Sequence, residues 1–312
     1  VIQYSSQATV YVADNASTDD SIAFVKTNFP TVKIVANDDN YGFAKGYNEA
    51  LKQVDAEIYA LVNSDIEVTE HWLQPILEMF EKEQETVIIQ PKILDFKNKA
   101  YFEYAGAGGG FIDKYGYAYC RGRIFDTIEI DAGQYNDNCD LFWASGACFF
   151  IRSSIYKNNN GFDEDFFAHQ EEIDLCWRVL NKGLKIRYNA KSVIYHVGGA
   201  TLQLGNPKKT YLNFRNSLFM LVKNVPSQSL FQILMIRLIL DGIAGAKFLL
   251  AGEFKHLVAV LKAHYSFYSQ FKYFYKKRDI IQSEKYYNIK SIVYLYYVNS
   301  ITKFKNIITL EH

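Results

Sequence analysis

The stretch ATVYVADN, residues 8–15, decides the fold because a short β-branched run ends abruptly in a polar Asp-Asn pair. The same pattern occurs twice more within the first 65 residues. Val32–Ala36 leads into the sequence NDDN, and Glu57–Val62 (EIYALV) leads into NSD. Runs of this composition, bounded by polar turn residues, predict three β-strands whose ends each carry Asn and Asp.

Helical patterns separate these strands. They cover Ser21–Phe29, Ala44–Gln53 and His71–Glu85, and a fourth strand is predicted at Val87–Gln90. Strands that alternate with helices predict βαβ units, and therefore an α/β fold with a largely parallel sheet. Ligands of such sheets bind at the carboxyl ends of the strands. We therefore expect the three polar clusters to share one binding edge.

The remainder of the chain changes character twice. Residues 101–140 are rich in Gly and Tyr, which predicts loops and short strands of the kind that bind an acceptor. Two further strands and a helix are predicted at Trp143–Arg152, Lys185–Tyr195 and Glu171–Lys182. From Tyr211 onward the pattern is helical and aromatic. We interpret this as a catalytic domain at 1–215 and a helical, basic-aromatic region at 216–312.

Composition narrows the class of protein. The 312 residues are 49% hydrophobic and carry 34 basic and 34 acidic side chains, so the net charge is zero. No global basic field is present to attract nucleic acid, which is not expected as a partner. The four cysteines lack C-x-x-C spacing and have apolar or aromatic neighbours. Reduced core thiols and a cytoplasmic setting are therefore expected.

Two motifs suit a bound sugar nucleotide. Asp14 and Asn15 lie at a strand end, where they can bond a base or ribose; the alternative is an Asx turn that caps the next helix. The motif NYGFAKGYN (40–48) contributes Asn40, Gly42 and Lys45. Its glycines allow a diphosphate to approach a positive helix terminus, although a simple loop-to-helix joint has the same pattern.

A divalent metal is suggested by Asn63 and Asp65, which follow the most hydrophobic strand of the first half. Mg²⁺ and Mn²⁺ favour one or two carboxylates together with phosphate oxygens. His196 ends a later strand. It becomes a stronger candidate for a metal ligand if Asp65 lies at the same edge of the sheet. The alternatives are a strand-terminating turn and a structural histidine.

The densest carboxylate cluster contains Glu171, Glu172 and Asp174. It opens the predicted helix that continues as LCWR. A carboxylate there can act as a general base toward a sugar hydroxyl. Carboxylates in a first helical turn are also favoured by the helix dipole alone, which is the structural alternative.

Together these motifs resemble family 2 glycosyltransferases, specifically the rhamnosyltransferase-like branch. In chain order they are ADNASTDDS (13–21), NYGFAKGYN (40–48), NSD (63–65), WASGA (143–147), GFDEDFF (161–167), EEIDLCWR (171–178) and HVGG (196–199). The resemblance implies a GT-A fold, a Rossmann-like mixed sheet flanked by helices, with a C-terminal helical extension. It also implies inverting transfer of a single sugar from a nucleoside-diphosphate sugar to a hydroxyl of a glycan or lipid-linked acceptor, in bacterial cell-surface polysaccharide synthesis.

The resemblance also assigns roles to residues. Asp14 would contact the nucleotide, and Asp65 would ligate a divalent metal (Mg²⁺ or Mn²⁺) with His196 as a further ligand. Glu172 would be the catalytic base. Trp143 and Gly146 would shape the acceptor side.

Three departures from the family pattern matter. The usual Asp-x-Asp is Asn63-x-Asp65 here, so one metal ligand is missing, and the usual Glu-Asp pair is Glu171-Glu172. The opening strand of the family is absent, so we expect that about one βα unit precedes Val1 in the native gene. No Q-x-x-R-W motif occurs, which favours single addition over polymerisation.

Two competing hypotheses remain from the sequence. A nucleotidyltransferase acting on sugar phosphates would share the nucleotide-binding sheet and the metal, but it leaves the Glu171–Asp174 cluster without a role. A catalytically silent sugar-nucleotide-binding module is disfavoured because Asp14, Asp65, Glu172 and His196 are all present.

The C-terminal region suggests a surface helix. Ser229–Leu250 is strongly apolar but is interrupted by Arg237, Asp241 and Lys247, and the first two can pair four residues apart. Tyr265–Arg278 interleaves aromatics with Lys and Arg, which suits a lipid headgroup interface. Peripheral contact with the cytoplasmic face of the inner membrane and packing on the catalytic domain are both consistent with this pattern.

Overall fold

The computed structural model describes residues 1–198, 205–279 and 281–308. Gly199, the last residue of the HVGG motif, lies outside the described residues. The described strands are β1 Tyr11–Asp14, β2 Lys33–Ala36, β3 Ile58–Val62, β4 Ile66–Val68, β5 Thr86–Asp95, β6 Gly110–Ile112, β7 Ala118–Cys120, β8 Arg123–Ile124, β9 Thr127–Ile128, β10 Cys139–Asp140, β11 Cys148–Arg152 and β12 Lys185–His196.

The helices alternate with these strands in the first half and dominate the second. They are α1 Ser21–Asn28, α2 Gly42–Leu51, α3 Gln74–Lys82, α4 Ser153–Asn158, α5 Glu171–Asn181, α6 Pro207–Asn224, α7 Ser227–Leu250, α8 Phe254–Lys276, α9 Ile292–Tyr297 and α10 Lys305–Ile308. Short 3₁₀ turns are formed by Ile2–Tyr4 and Glu164–Phe166. The predicted α/β class is therefore confirmed.

The main sheet is mixed, so the expectation of a largely parallel sheet is wrong. Its strand order is β10-β12-β5-β11-β3, with β4 beside the C-terminal part of β12. Strands β5 and β12 run parallel, whereas β11 runs antiparallel between β3 and β5. β11 follows the β6–β10 segment rather than a crossover helix, so the parallel, right-handed βαβ rule does not apply to it.

Two smaller sheets flank the main one. β1 and β2 form a parallel pair of their own. Strands β6 to β9 form a four-stranded antiparallel sheet within the segment that was expected to hold loops and short strands.

The core continues across the predicted domain boundary at residue 215. That boundary falls inside α6, which runs without interruption from Pro207 to Asn224. Ile88 and Trp177 from the first half share one hydrophobic core with Phe219 and Phe267 from the C-terminal helices. The C-terminal region is therefore packed onto the α/β sheet rather than tethered to it.

Candidate active site

The side chain of Asn15 joins the end of β1 to the start of α2. Its Nδ2 donates a hydrogen bond to the Gly42 carbonyl at 2.8 Å and to Asn40 Oδ1 at 3.3 Å. Its Oδ1 accepts from Asn37 Nδ2 at 3.0 Å, and that buried amide also donates to the Gly46 carbonyl. The expected clustering of the first two polar strand ends is thus present in the geometry.

Asp14 and Lys45 flank this cluster. Asp14 Oδ2 accepts from the Ser17 amide at 3.1 Å, and the residue is only partly buried. The turn that precedes α1 is made instead by Asp19, whose Oδ1 accepts from the Ser21 amide at 3.1 Å. Lys45 Nζ lies 4.2 Å from the centroid of the Tyr41 ring. Both side chains remain accessible to a ligand at the start of α2.

Gly42 cannot be replaced without disturbing this end of α2. It has φ of +73°, and a Cβ at this position would lie 2.6 Å from the Phe167 ring. The Phe167 carbonyl accepts hydrogen bonds from the amides of Phe43 and Ala44 at 3.0 and 3.3 Å. The first turn of α2 is therefore held against the loop that precedes α5.

A second cluster forms where β4 lies beside the end of β12. Ile66 is opposite His196, and the Val197 amide donates to the Asp65 carbonyl at 3.0 Å. As a result His196 Nε2 lies 3.2 Å from Asp65 Oδ1, at the same edge of the sheet. Its Nδ1 lies 3.1 Å from Oε1 of Glu103, a buried carboxylate.

The two carboxylates control the charge of His196. Burial alone disfavours the imidazolium, but Glu103 and Asp65 outweigh burial and raise the pKa of His196 above its usual range. Glu103 faces one ring nitrogen and Asp65 the other. In a carboxylate–histidine pair of this kind, the outer carboxylate fixes the ring orientation and the tautomer.

The fit to a divalent metal is partial. Within residues 1–198, 205–279 and 281–308, no three His, Cys, Asp or Glu side chains converge on a point that an ion could occupy. Asp65 offers an oxygen and His196 a nitrogen, while Glu103 lies on the far side of the ring. Such a donor pair suits Mn²⁺ or Mg²⁺ when phosphate and water supply the remaining ligands.

The carboxylates of α5 fall into two groups. Asp174 is fully buried and accepts from Arg178, Lys223 and Asn224. Burial opposes its ionisation, but Lys223 and Arg178 outweigh burial and lower the pKa of Asp174 to about 2. It is an anchor for α5, although it was predicted among the catalytic candidates.

Glu171 and Glu172 have the opposite environment. The Oε2 atom of each is buried with no hydrogen-bond partner among the described residues. Burial raises the pKa of Glu172 to about 7, and burial with the neighbouring Glu172 charge raises the pKa of Glu171 further. Each carboxyl therefore ionises less readily than an exposed glutamate, and the Glu172 charge opposes the ionisation of Glu171.

Gly146 lies beside Glu172 and Phe43. A Cβ at Gly146 would lie 3.8 Å from the Glu172 carboxyl and 3.4 Å from the Phe43 ring. The amide of Asn63 donates to the carbonyl of the adjacent Ala147 at 3.0 Å, which ties this strand start to the Asp65 cluster. Gly146, predicted on the acceptor side, therefore lies next to the predicted base.

Trp143 occupies a different place from the one predicted. Its side chain is 3% exposed, and its Nε1 donates to the Phe111 carbonyl at 2.9 Å. The ring packs against Gly110, where a Cβ would come within 2.0 Å. Trp143 therefore supports the segment that leads to Gly146 from within the core and does not line an acceptor surface.

Unpartnered polar atoms concentrate in four consecutive residues. His169 Nε2 and Gln170 Oε1 are buried without a hydrogen-bond partner in the described structure, as are the carboxyl oxygens of Glu171 and Glu172. Native proteins leave few buried polar groups unsatisfied, and perturbed carboxyls cluster at functional sites. This segment is therefore the strongest candidate for a site that binds a polar ligand.

Three participants were missed from the sequence. Asn37 was treated as one of several turn residues, and Glu103 lies in a Gly- and Tyr-rich segment without periodicity. A carboxylate between aromatic residues, as in YFEYAG (101–106), was the available signal for Glu103. Asn216 lies inside an apolar helix, and its contacts are described below.

Comparison with known proteins identifies the fold and the family. A crystal structure of GalNAc-T7 with UDP, GalNAc and Mn²⁺ superposes with a TM-score of 0.54 at 12% identity, over 70% of this chain and 42% of that chain. The mixed sheet of this chain thus has the GT-A fold. The family model for glycosyl transferase family 2 matches residues 2–158, and the chain belongs to this family.

Two curated relatives are similar over most of the chain. The low-salt glycan biosynthesis hexosyltransferase Agl10 of Haloferax volcanii is 22% identical over 236 residues, covering 73% of this chain and 72% of the relative. The N-acetylglucosaminyl-diphospho-decaprenol L-rhamnosyltransferase of Mycobacterium tuberculosis is 22% identical over 208 residues, covering 62% and 67%. The family membership confirms the glycosyltransferase interpretation over the nucleotidyltransferase one.

Proposed function

We propose that the protein transfers one sugar, with inversion, from a nucleoside-diphosphate sugar to a hydroxyl of a glycan or lipid-linked acceptor. The observation that carries this proposal is Glu172, a carboxyl with a pKa of about 7 next to Gly146. A base with a pKa near the working pH transfers protons most effectively. The names of the two relatives support a glycan or lipid-linked acceptor and a role in cell-surface polysaccharide synthesis.

The donor would lie along the edge formed by β1, α2 and the end of β12. Asp14 and Asn15 would bond the nucleoside, and Asn40, Gly42 and Lys45 would face the diphosphate at the start of α2. Asp65 and His196, with Asn63 nearby, would hold a divalent ion that neutralises the departing diphosphate. Glu172 would accept the proton of the acceptor hydroxyl as the new bond forms.

The metal assignment is tested with Asp65→Ala. We expect this variant to lose donor turnover because the carboxylate oxygen facing His196 is removed. Mn²⁺ bound in the presence of a nucleoside diphosphate, measured by electron paramagnetic resonance, should fall in parallel. Asp95→Ala at the end of β5 is the control and should retain both signals. Full wild-type activity in excess chelator would contradict the assignment.

The donor class is tested by a turnover screen against a panel of nucleotide sugars. We expect one of them to be consumed, with inverted configuration in the product. Consumption that releases pyrophosphate instead of a nucleoside diphosphate would favour a nucleotidyltransferase. Binding without turnover of any donor in the presence of acceptor would favour a silent binding module.

We further propose that the α7–α8 face contacts an anionic membrane surface. Phe231, Met235, Ile239 and Ile243 recur every four residues along α7 and are all exposed. On α8 a second exposed row contains Phe254, Val258, Leu261, Tyr265 and Tyr268. Neighbouring exposed apolar rows of this length fit an interfacial helix pair.

Charge favours lipid as the occupant of this face. Exposed basic side chains border the apolar row of α8, namely Lys255, Lys262, Lys272 and Lys276. The sequence of α8 contains no Asp or Glu, and the single acid of α7, Asp241, is buried beside Arg237. Among the described helices, none is long and apolar enough to cross a membrane.

Part of the predicted basic-aromatic segment serves the fold instead. Lys277 Nζ bonds Asp163 at 2.7 Å, and Arg278 donates to the carbonyls of Val222 and Val225. Arg237, as predicted, pairs with Asp241, and it also donates to the Tyr115 carbonyl. One face of the C-terminal helices thus packs on the sheet domain, and the exposed face is the one that we propose for membrane contact.

Flotation with vesicles of phosphatidylcholine containing phosphatidylglycerol tests the membrane contact. Each basic residue near an anionic surface is worth about 1 kcal/mol, so reversing Lys262 and Lys272 to Glu should weaken binding at least about tenfold. The matched control reverses Lys26 and Lys82 on α1 and α3. If the face instead joins two copies, light scattering will show a dimer and flotation will not depend on anionic lipid.

We propose the cytoplasmic face of the inner membrane as the location of the enzyme. In this proposal residues 1–215 perform the transfer, and the helices of 216–312 dock the enzyme near a lipid-linked acceptor.

A further inference from the structure

The loop before α5 holds an unfavourable backbone conformation. Phe167, His169 and Gln170 have φ of +64°, +72° and +75°, and none of them is glycine. The left-handed region is unfavourable for residues with a side chain, so surrounding contacts must hold the loop in place. This loop connects directly to Glu171 and Glu172, and its Phe167 carbonyl caps the first turn of α2.

Asn216 of α6 supplies those contacts. The two hydrogens of its buried Nδ2 are shared among the carbonyls of Phe166, Ala168 and His169, which lie at 2.9, 2.9 and 2.7 Å. One side-chain amide therefore contacts three of the four backbone carbonyls from Phe166 to His169. Backbone carbonyls that point inward at one donor are a direct consequence of the reversed φ values.

Arg215 fixes the orientation of that amide. Its Nε donates to Asn216 Oδ1 at 2.8 Å, so Nδ2 must face the loop. Its Nη2 also donates to the carbonyls of Asp165 and Phe166. Lys223, two turns further along α6, bonds both Asp163 and Asp174 at 2.7 Å. Helix α6 therefore holds the chain on both sides of the loop, at Asp163 before it and at Asp174 after it.

We propose that Asn216 is a positioning residue for sugar transfer: it holds the strained loop 166–170 so that Glu172 faces the acceptor and the Phe167 carbonyl caps α2. The inference rests on the proposed function for its catalytic consequence, but its structural part stands without it. Helix α6 then contributes to the active site by holding this loop, although it belongs to the C-terminal helical region. The loop links the donor side at α2 to the base at α5, so both depend on one amide.

The test compares Asn216→Ala with Asn189→Ala in the full chain. Asn189 is also buried. Its Nδ2 donates at 2.9 Å to the carbonyl of Pro75, a residue far from the loop in sequence. Both variants lose a buried amide, so similar losses of melting temperature are expected. Hydrogen exchange should accelerate only in Asn216→Ala, at the amides of Phe43 and Ala44 and in the peptide 166–174. Equal exchange in both variants would overturn the proposal.

Kinetics separate positioning from stability. With the donor found in the screen, Asn216→Ala should lower kcat about 100-fold, because a displacement of about 1 Å of a catalytic group costs that much. Donor Kd should change less than about threefold, and Asn189→Ala should keep wild-type kcat. Faster loop exchange with unchanged kcat would overturn the catalytic role. If wild type transfers no sugar, the proposed function has failed, and the exchange comparison still decides whether Asn216 holds the loop.

Discussion

Asp174 and Glu172 lie two residues apart in the first turn of α5, yet they occupy opposite environments. Asp174 has three donors around its two oxygens and a pKa of about 2. Glu172 has a buried oxygen without a partner among the described residues and a pKa of about 7. Asp174 is fully buried and Glu172 is half-buried, and cations lower the pKa of Asp174 whereas burial raises that of Glu172.

The comparison shows how one short motif serves two purposes. The pattern EEID was consistent with a general base and with carboxylates favoured by the helix dipole. The structure assigns the anchoring role to Asp174, which ties α5 to Arg178 and to Lys223 of α6. The unpaired environment of Glu172 retains the proton affinity that chemistry at neutral pH requires.

The largest expected effect is on transfer by Glu172→Gln. Gln has the same shape but accepts no proton, and the loss of a general base typically costs about 10²–10⁴-fold in rate. We expect turnover to fall by that factor while donor Kd, measured by calorimetry, stays within about threefold of wild type.

Glu171→Gln is the matched control for this prediction. Burial and the neighbouring Glu172 charge raise the pKa of Glu171, which favours its neutral form, so the amide is a close mimic and most of the transfer activity should remain. A folded but inactive Glu171→Gln beside an active Glu172→Gln would assign the base to Glu171 instead.

Asp174→Asn should act on stability. Removing one partner from a buried ion pair leaves the other charges uncompensated, at a cost of about 3–5 kcal/mol in the free energy of unfolding. Denaturant titration measures this loss. Glu78→Gln removes the exposed i,i+4 partner of Lys82 and should change stability by less than about 1 kcal/mol. Equal losses in the two variants would show that the Asp174 network is not a structural anchor.

The sequence predicted much of the fold because its strands carry a local signal. Tyr11–Asp14, Lys33–Ala36 and Ile58–Val62 are β-branched or apolar runs that end in polar residues, and all three form strands. Strand direction is not local, and the antiparallel β11 was therefore missed. The division into two regions near 215 stays a prediction, and α6 crosses it while residues from both sides share one hydrophobic core.

The site was predictable where a residue stands at the end of a strand. Asp65 and His196 were expected to meet if their strand ends coincided, and they lie 3.2 Å apart. Their roles as ligands, like that of Glu172 as base, stay predictions. Glu103 and Asn216 act through contacts across more than 45 residues of chain, so no local pattern identifies them. The burial of Trp143 could not be predicted from the sequence either, because an aromatic residue is equally suited to a hydrophobic core and to a surface that binds a sugar.

The smallest expected effect is the pH dependence of transfer, and its sign follows from the raised pKa of Glu172. Burial shifts this pKa upward to about 7, so the carboxylate required for proton acceptance exists mainly above that pH. The value of kcat/KM should therefore rise with pH, by about tenfold per unit below pH 7, and level off above it. Asp174 titrates near pH 2 and contributes nothing across this range. The measurement is a profile from pH 5 to 9 at saturating Mn²⁺, repeated for the residual activity of Glu172→Gln, in which the acidic limb should disappear. A wild-type profile that is already flat down to pH 5 would mean that Glu172 ionises as easily as an exposed glutamate, and the contrast with Asp174 would then carry no catalytic meaning.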